Sequence, residues 1–458
     1  MKMQTTRMTA VLAGTALLAL AGCSSSSDEG GGDASDKPIT IKVVYFIQGT
    51  PNPMDGVMEQ VKSQYEVANP GVTVDLQPMK SSSEDYFVKL ALMNKSASTA
   101  PDVIYEDSFQ VKSDAAAGYL APLDDYLADW SDWDKFVDAA KGAGQGVDGK
   151  TYSVSLGTDT QGIWYNKDVF AKAGLPVPFA PTSWDDLLAA ARQIKKNVPD
   201  VYPWEIYAGI QLAEIGTVRG FQTFLTGTDD SLFDDKTGKW VVDSQGFEDT
   251  LNLIDTVYSE GLAPEPSVAL DPALSQTTAT TWLPEGKLGM IIDGSWLPSF
   301  WAETGLTPWP EWPDTLGWAA IPTQDGQAPG STSMSGGWTI AMGAKTNHPA
   351  EAFGFLSTLL SQENALKYAI DLSQIAVRSD VSEDPDFQAS NPSFGFFSKI
   401  VEYTHFRPAT SDYGKISNEI TVAMEAVMTG QQSPKEAAAT YDKALAGIVG
   451  DDNTMSAK

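Results

Sequence analysis

Short apolar runs that read as strands alternate with capped, amphipathic stretches that read as helices along most of this chain. That alternation constrains its fold more than any other feature. "ITIKVVYFI" (Ile39–Ile47) is an apolar, β-branched run of buried-strand type, followed by Gly49, Pro51 and Pro53 in a loop. A helical stretch over 54–69 leads into "GVTVDLQ", a second strand. "SSSEDYFVKLALMNKS" offers a cap and an apolar stripe (Tyr86, Leu90, Met93), and "PDVIYED" is a strand ending in Glu106 and Asp107. Ser183 and Asp186 have capping-box spacing at the head of one helix; Ser433, Pro434 and Glu436 repeat the design in another. Repeated βαβ order predicts an α/β protein with mostly parallel sheets.

Stability must come from core burial, because the only cysteine, Cys23, stands near the start in "LLALAGCSSSS". Lys2 and Arg7 precede an apolar run over 8–21, too short for a bilayer span of roughly 20 residues but suited to a secretory signal. Leu20-Ala21-Gly22-Cys23 resembles a bacterial lipobox. That likeness implies a signal peptide over 1–22, cleavage before Cys23, and a lipid on its thiol that anchors the protein to a membrane. Residues 23–37, almost without apolar side chains, are expected to be a flexible tether with a reach of about 20 Å.

The charge excludes some partners. With 60 acidic against 30 basic residues the chain repels nucleic acid, so no such partner is expected. Two histidines, His348 and His405, stand far apart, so a His/Cys metal cluster or a Cys–His dyad is not expected, and no cofactor is called for. His348 is expected to cap the helix that opens at Pro349. Gly144–Gly149 fits G-x-G-x-x-G but lacks the flanking strand and helix, so it reads as a loop. "FDDKTGKWVVD" fails the calcium-loop spacing and reads as a turn on 236–238. Acidic pairs of glycosidase type are too easily supplied by 60 acids to discriminate.

Six further segments, in order, resemble the extracellular solute-binding proteins of bacterial ABC importers, in particular their carbohydrate-binding group. They are "PDVIYEDSFQVKSDAAAGYLAPLDDYL", "GKTYSVSLGTDTQGIWYNKDVFAKAGL" with its YNKD motif at 165–168, "TSWDDLLAAARQI", "LPEGKLGMIIDGSWLPSF", "SGGWTIAMGAKTNHPAEAFGFLSTLLSQENALKYA" and the closing stretch from Arg407. The resemblance implies a two-lobed, type II periplasmic-binding-protein-like fold. Each lobe would be a mainly parallel sheet flanked by helices, with a ligand cleft between them. The expected division is 38–156 with 322–383 for the first lobe and 157–321 with 384–458 for the second.

The implied function is capture of a di- or oligosaccharide, without catalysis, by an extracytoplasmic monomer that delivers it to the permease subunits of an importer. Aromatic rings cover the C–H face of a sugar, while carboxylates and amides bond its hydroxyls. Asp159 and Trp296 fall where maltose-binding members of the family place a sugar-binding acid and a stacking ring. Gln48, Glu106, Asp107, Gly336, Gly337 and Trp338 stand where cleft loops are expected; Arg378 and Tyr413 are further candidates. Trp296 and Trp338 could instead be packing residues, and Arg378 an ion-pair partner. The insert "TPWPEWPD" (Thr307–Asp314) departs from the family pattern, as either a rim loop or a packing flap. The rival readings are a surface glycoside hydrolase and a binder of another polar solute. Scarcity of Arg and Lys in the expected cleft loops argues against a phosphate ligand.

Overall fold

The computed structural model describes residues 38–457. The expected signal peptide, Cys23 and the tether lie outside the described residues. Among the described residues no helix is long and apolar enough to cross a membrane.

The first lobe is built on a five-stranded sheet, in the order 72–80, 39–47, 103–107, 338–342, 153–155. Ile39–Ile47 pairs in parallel on both sides, which explains why Ile41, Val43, Val44 and Tyr45 are all buried. Helices over Pro53–Ala68 and Ser83–Asn94 cover it, capped by Asn52, which accepts from Met54 N–H, and by Ser82, which accepts from Asp85 N–H. The second lobe centres on a four-stranded sheet, 316–319, 161–166, 288–294, 202–205. Strands 72–80, 39–47 and 103–107 are parallel, as are 202–205 and 288–294. The pairings of 103–107, 338–342 and 153–155, and of 316–319, 161–166 and 288–294, are antiparallel. Strands 153–155 and 338–342 adjoin the crossings between lobes, so the sheets are more mixed than simple βαβ order predicts.

Two stretches next to the expected lobe boundaries make contacts on either side. Ser331–Met334 pairs with Ile321–Pro322 and Thr404–His405, and Thr332 shares a hydroxyl contact of 2.9 Å with Thr226. Conversely, Phe387 and Phe394 pack on Ala365 and Ala369 of the helix Gln362–Asp371, beside the first lobe.

Local expectations fare differently. Ser433 and Glu436 form a complete capping box. At Trp184–Asn197 Ser183 caps as expected, while Asp186 instead accepts from Thr182. Phe233–Asp234 and Lys239–Val242 form a hairpin closed by a turn at Gly238. His348 occupies the N-cap position of Pro349–Leu359, but its side chain makes no cap bond there. The Trp/Pro insert is a packing flap: Trp312 is buried, 5.5 Å from Trp301, and the Trp309 ring stands edge-on to Trp301 at 5.3 Å. Just before it, Leu306 reaches over to Gly49 of the first lobe.

Candidate functional site

The ends of these elements enclose an interlobe cleft of about 250 Å³. Its first-lobe wall is aromatic. Tyr105, on the strand Val103–Asp107, and Trp338, on its antiparallel neighbour, stack at 4.4 Å, and Phe46 lies 5.4 Å from Trp338 with planes 10° apart. Gly337 leads into this wall with φ +127°, and a Cβ there would stand 2.5 Å from the Gly157 carbonyl oxygen, so only glycine fits.

The second-lobe wall carries charge. Glu214 follows Ala213, whose φ of +46° is unusual for a residue with a Cβ. Val218 and Arg219 then line the cleft from a π-helical turn, Gly216–Gln222. Arg219 is paired with Asp293 at 2.9 Å, and its guanidinium lies 4.8 Å over the Trp296 ring. That ring rests directly on Gly294, where a Cβ would come within 2.1 Å of it. Trp296 therefore lines the cleft with a cation already over its ring.

Between the walls stands Arg407, which is 10% exposed. It donates to Asp107 at 2.7 Å, lies 3.5 Å from Glu214, and covers the Phe109 ring at 4.2 Å. Burial lowers the pKa of this guanidinium, but Asp107 and Glu214 outweigh that and raise it. Burial pushes Asp107 and Glu214 upward, with Arg407 pulling each back. Asp159 is buried too, and burial lifts its carboxyl to about 7 against the pull of Arg407.

Two further groups bear on what the cleft can accept. Gln161 and Gln374 both line it and are buried, and each has a side-chain oxygen with no partner in the protein. A buried acceptor without a donor costs about 1–3 kcal/mol, so these oxygens are suited to donors that arrive with a ligand.

Of the residues expected from sequence, Gln48, Asp107, Asp159, Trp296, Gly336, Gly337 and Trp338 line this cleft. Three do not. Glu106 points to the opposite face of its strand, fully buried beside Tyr86 and Asp114, and burial raises its pKa well above the carboxylate range. Strand alternation allows only one of Glu106 and Asp107 to face in. Arg378 is 3% exposed and satisfied by Asp132, Asp380 and the Leu360 carbonyl, so it is a structural ion-pair partner. Tyr413 is buried behind the wall, donating to Glu214 at 2.5 Å and accepting from Gln222. It supports Glu214 and does not line the cleft.

Sequence reasoning missed Phe46, Glu214, Arg219, Gln161, Gln374 and Arg407. Gln161 lies two residues beyond Asp159, on the same passage into the second lobe, and was within reach. The two arginines correct the expectation of a cleft poor in basic groups. Each is already neutralised by acids, so neither is free to hold a phosphate.

Residues 49–366 match the family model of bacterial extracellular solute-binding proteins. The maltotriose-binding protein of Pyrococcus abyssi is 22% identical over 405 residues, 86% of this chain and 79% of that protein. The GacH receptor of Streptomyces glaucescens, solved unliganded and with acarbose, superposes with a TM-score of 0.76 at 22% identity, covering 90% of this chain and 99% of that one. Maltose-bound MalE3 of T. maritima gives 0.76 at 20% identity, over 90% of this chain and 100% of that one. With the two-lobed architecture and the cleft between its walls, the match over most of the length settles the family: this chain is a member of the bacterial extracellular solute-binding proteins.

Proposed function

We propose that this protein is the carbohydrate-binding component of an ABC importer, holding a di- or oligosaccharide between its lobes and delivering it unchanged to the permease. The observation that carries the reading is the pairing of an aromatic wall (Phe46, Tyr105, Trp338) with the unpartnered buried acceptors of Gln161 and Gln374. A pyranose has an apolar face for the first and hydroxyl donors for the second. Asp159 and Gln48 add acceptors at the same cleft. Maltotriose, maltose and acarbose are ligands named for three of the similar proteins. The lobes we propose are 38–156 with 335–394, and 157–334 with 395–458. Closure about the crossings would bring the walls together on the sugar.

Hydrolysis is not part of this reading. A glycosidase pairs an acid with a second carboxylate set to act as base or nucleophile at the scissile bond. Asp107 and Glu214, the other carboxylates of the cleft, are both engaged by Arg407.

A thermal-shift screen of mono-, di- and oligosaccharides tests the reading, since a ligand that binds only the native state raises its stability. Upward shifts by a subset of oligosaccharides are expected. Shifts by amino acids or phosphate esters alone would reject it. The anchor is tested separately. Cys23→Ser should release the protein into the medium or leave the precursor uncleaved, and a processed, membrane-bound Cys23→Ser protein would refute lipidation there.

A further inference from the structure

A second interlobe groove, about 520 Å³, lies behind Arg407. First-lobe residues such as Phe109 and Ala139 line one side of it, and Gln222 and Phe233 the other, with Phe406 at its edge. Among the described residues, Ser335 and Arg407 alone line both this groove and the cleft already described. The two spaces therefore adjoin at these two residues, and of the two it is Arg407 whose side chain reaches both lobes.

That side chain is firmly held. Arg407 takes Asp107 from the first lobe and Glu214 from the second, and rests on Phe109. Gly336 leaves it room, since a Cβ there would stand 2.9 Å from Nη2. Glu214 is itself fixed by Tyr413 and by Ser417 at 2.6 Å. Withdrawing the guanidinium would leave two carboxylates of the wall without a counter-ion, which a few sugar hydroxyls do not replace. The groove behind is nonetheless suited to a sugar. Phe406 is 61% exposed, Phe109 and Phe233 add apolar surface, and the His405 and Gln222 side chains supply polar edges.

We propose that Arg407 sets the length of the saccharide this protein holds, by closing one end of the binding compartment so that the groove behind it receives further sugar units only when that side chain is withdrawn. The proposal rests on the carbohydrate reading and makes Arg407 a specificity-determining residue.

The test compares short and long members of gluco-, galacto-, manno- and xylo-oligosaccharide series by titration calorimetry. The quantity read is the ratio of long-chain to short-chain association constants within each protein, which a general loss of affinity leaves unchanged. Wild type should give a ratio near unity for the series it binds. Arg407→Met should raise that ratio by about tenfold or more, the gain expected from one further well-placed contact. Ala139→Trp, which fills the rear groove, should leave wild-type binding unchanged and cancel the gain in the Arg407→Met background. Arg407→Lys provides the same comparison if the Met variant does not fold, because one ammonium cannot bridge both carboxylates as a guanidinium does. An unchanged ratio in the variants, or a wild type that already favours long chains, overturns the proposal while leaving the carbohydrate reading intact. A folded wild type that binds no saccharide of any series overturns both.

Discussion

Tyr105 and Trp338 lie face to face on adjacent antiparallel strands, their ring centroids 4.4 Å apart and their planes within 6°. The Tyr105 hydroxyl is held 2.9 Å from that of Tyr368, so the pair forms a fixed wall to the cleft. Trp338→Ala should weaken saccharide binding by about 2–4 kcal/mol, the range of a buried aromatic hot spot. That is roughly 30- to 1000-fold in Kd. Trp296→Ala should cost less, because Arg219 already lies over that ring. Calorimetry on both folded variants checks the order; a larger loss at Trp296 would place the main stacking surface on the second lobe.

Asp159 gives binding a pH dependence of definite sign. Burial lifts its pKa to about 7. Sugar hydroxyls donate to the carboxylate better than to the protonated acid, so affinity should rise as pH climbs through 7, with a proton released on binding. Asp159→Asn should lose on the order of 1–3 kcal/mol at alkaline pH and show a flat profile across the same window. A wild-type profile that is flat, or that falls with rising pH, would remove Asp159 from the site.

Glu205 should make the fold less stable in alkali. It is fully buried, both carboxyl oxygens lack a partner, and burial raises its pKa from 4.5 to about 8. The folded value lies above the unfolded one, so the protonated acid contributes fully below pH 4.5 and that contribution is lost as pH rises through about 8. Glu205→Gln should match wild type in acid and exceed it in alkali by at most on the order of 5 kcal/mol. Urea unfolding across pH reads the difference directly; a constant gap between the two proteins would contradict this assignment.

Arg378→Ala should destabilise the protein by on the order of 3 kcal/mol, because it strands Asp132, Asp380 and the Leu360 carbonyl. Its saccharide affinity should equal that of wild type. Reduced affinity in a stably folded variant would return Arg378 to the binding site.

The strands and helices were legible where local chemistry dictates them. Ile39–Ile47 is apolar because it is covered on both faces, and Ser433 with Glu436 caps a helix by side-chain reach alone. Near the hinge, the passage that carries Asp159 and the Gly336-Gly337-Trp338 turn was legible through family likeness. The remaining cleft residues were not, for a geometric reason. Arg407 meets Asp107 across 300 positions of chain, and Glu214 owes its place to Ala213 and the π-helical turn that follows. Neither a distant ion pair nor an irregular turn leaves a periodic trace. Arg378 stayed open between two readings for a related reason: a lone arginine near a crossing looks alike in sequence whether it serves a ligand or the Asp132 and Asp380 carboxylates.

The central claim, a cleft that binds sugar through an aromatic wall and the acceptors of Gln161 and Gln374, is tested most directly by calorimetric titration at about pH 8, where Asp159 is ionised. Wild type should bind at least one di- or oligosaccharide saturably and return it chemically unchanged, with Gln161→Leu and Gln374→Leu each weakening binding by on the order of 1–3 kcal/mol. Saccharide affinity that is untouched in both variants, or binding confined to solutes without a sugar ring, would contradict it.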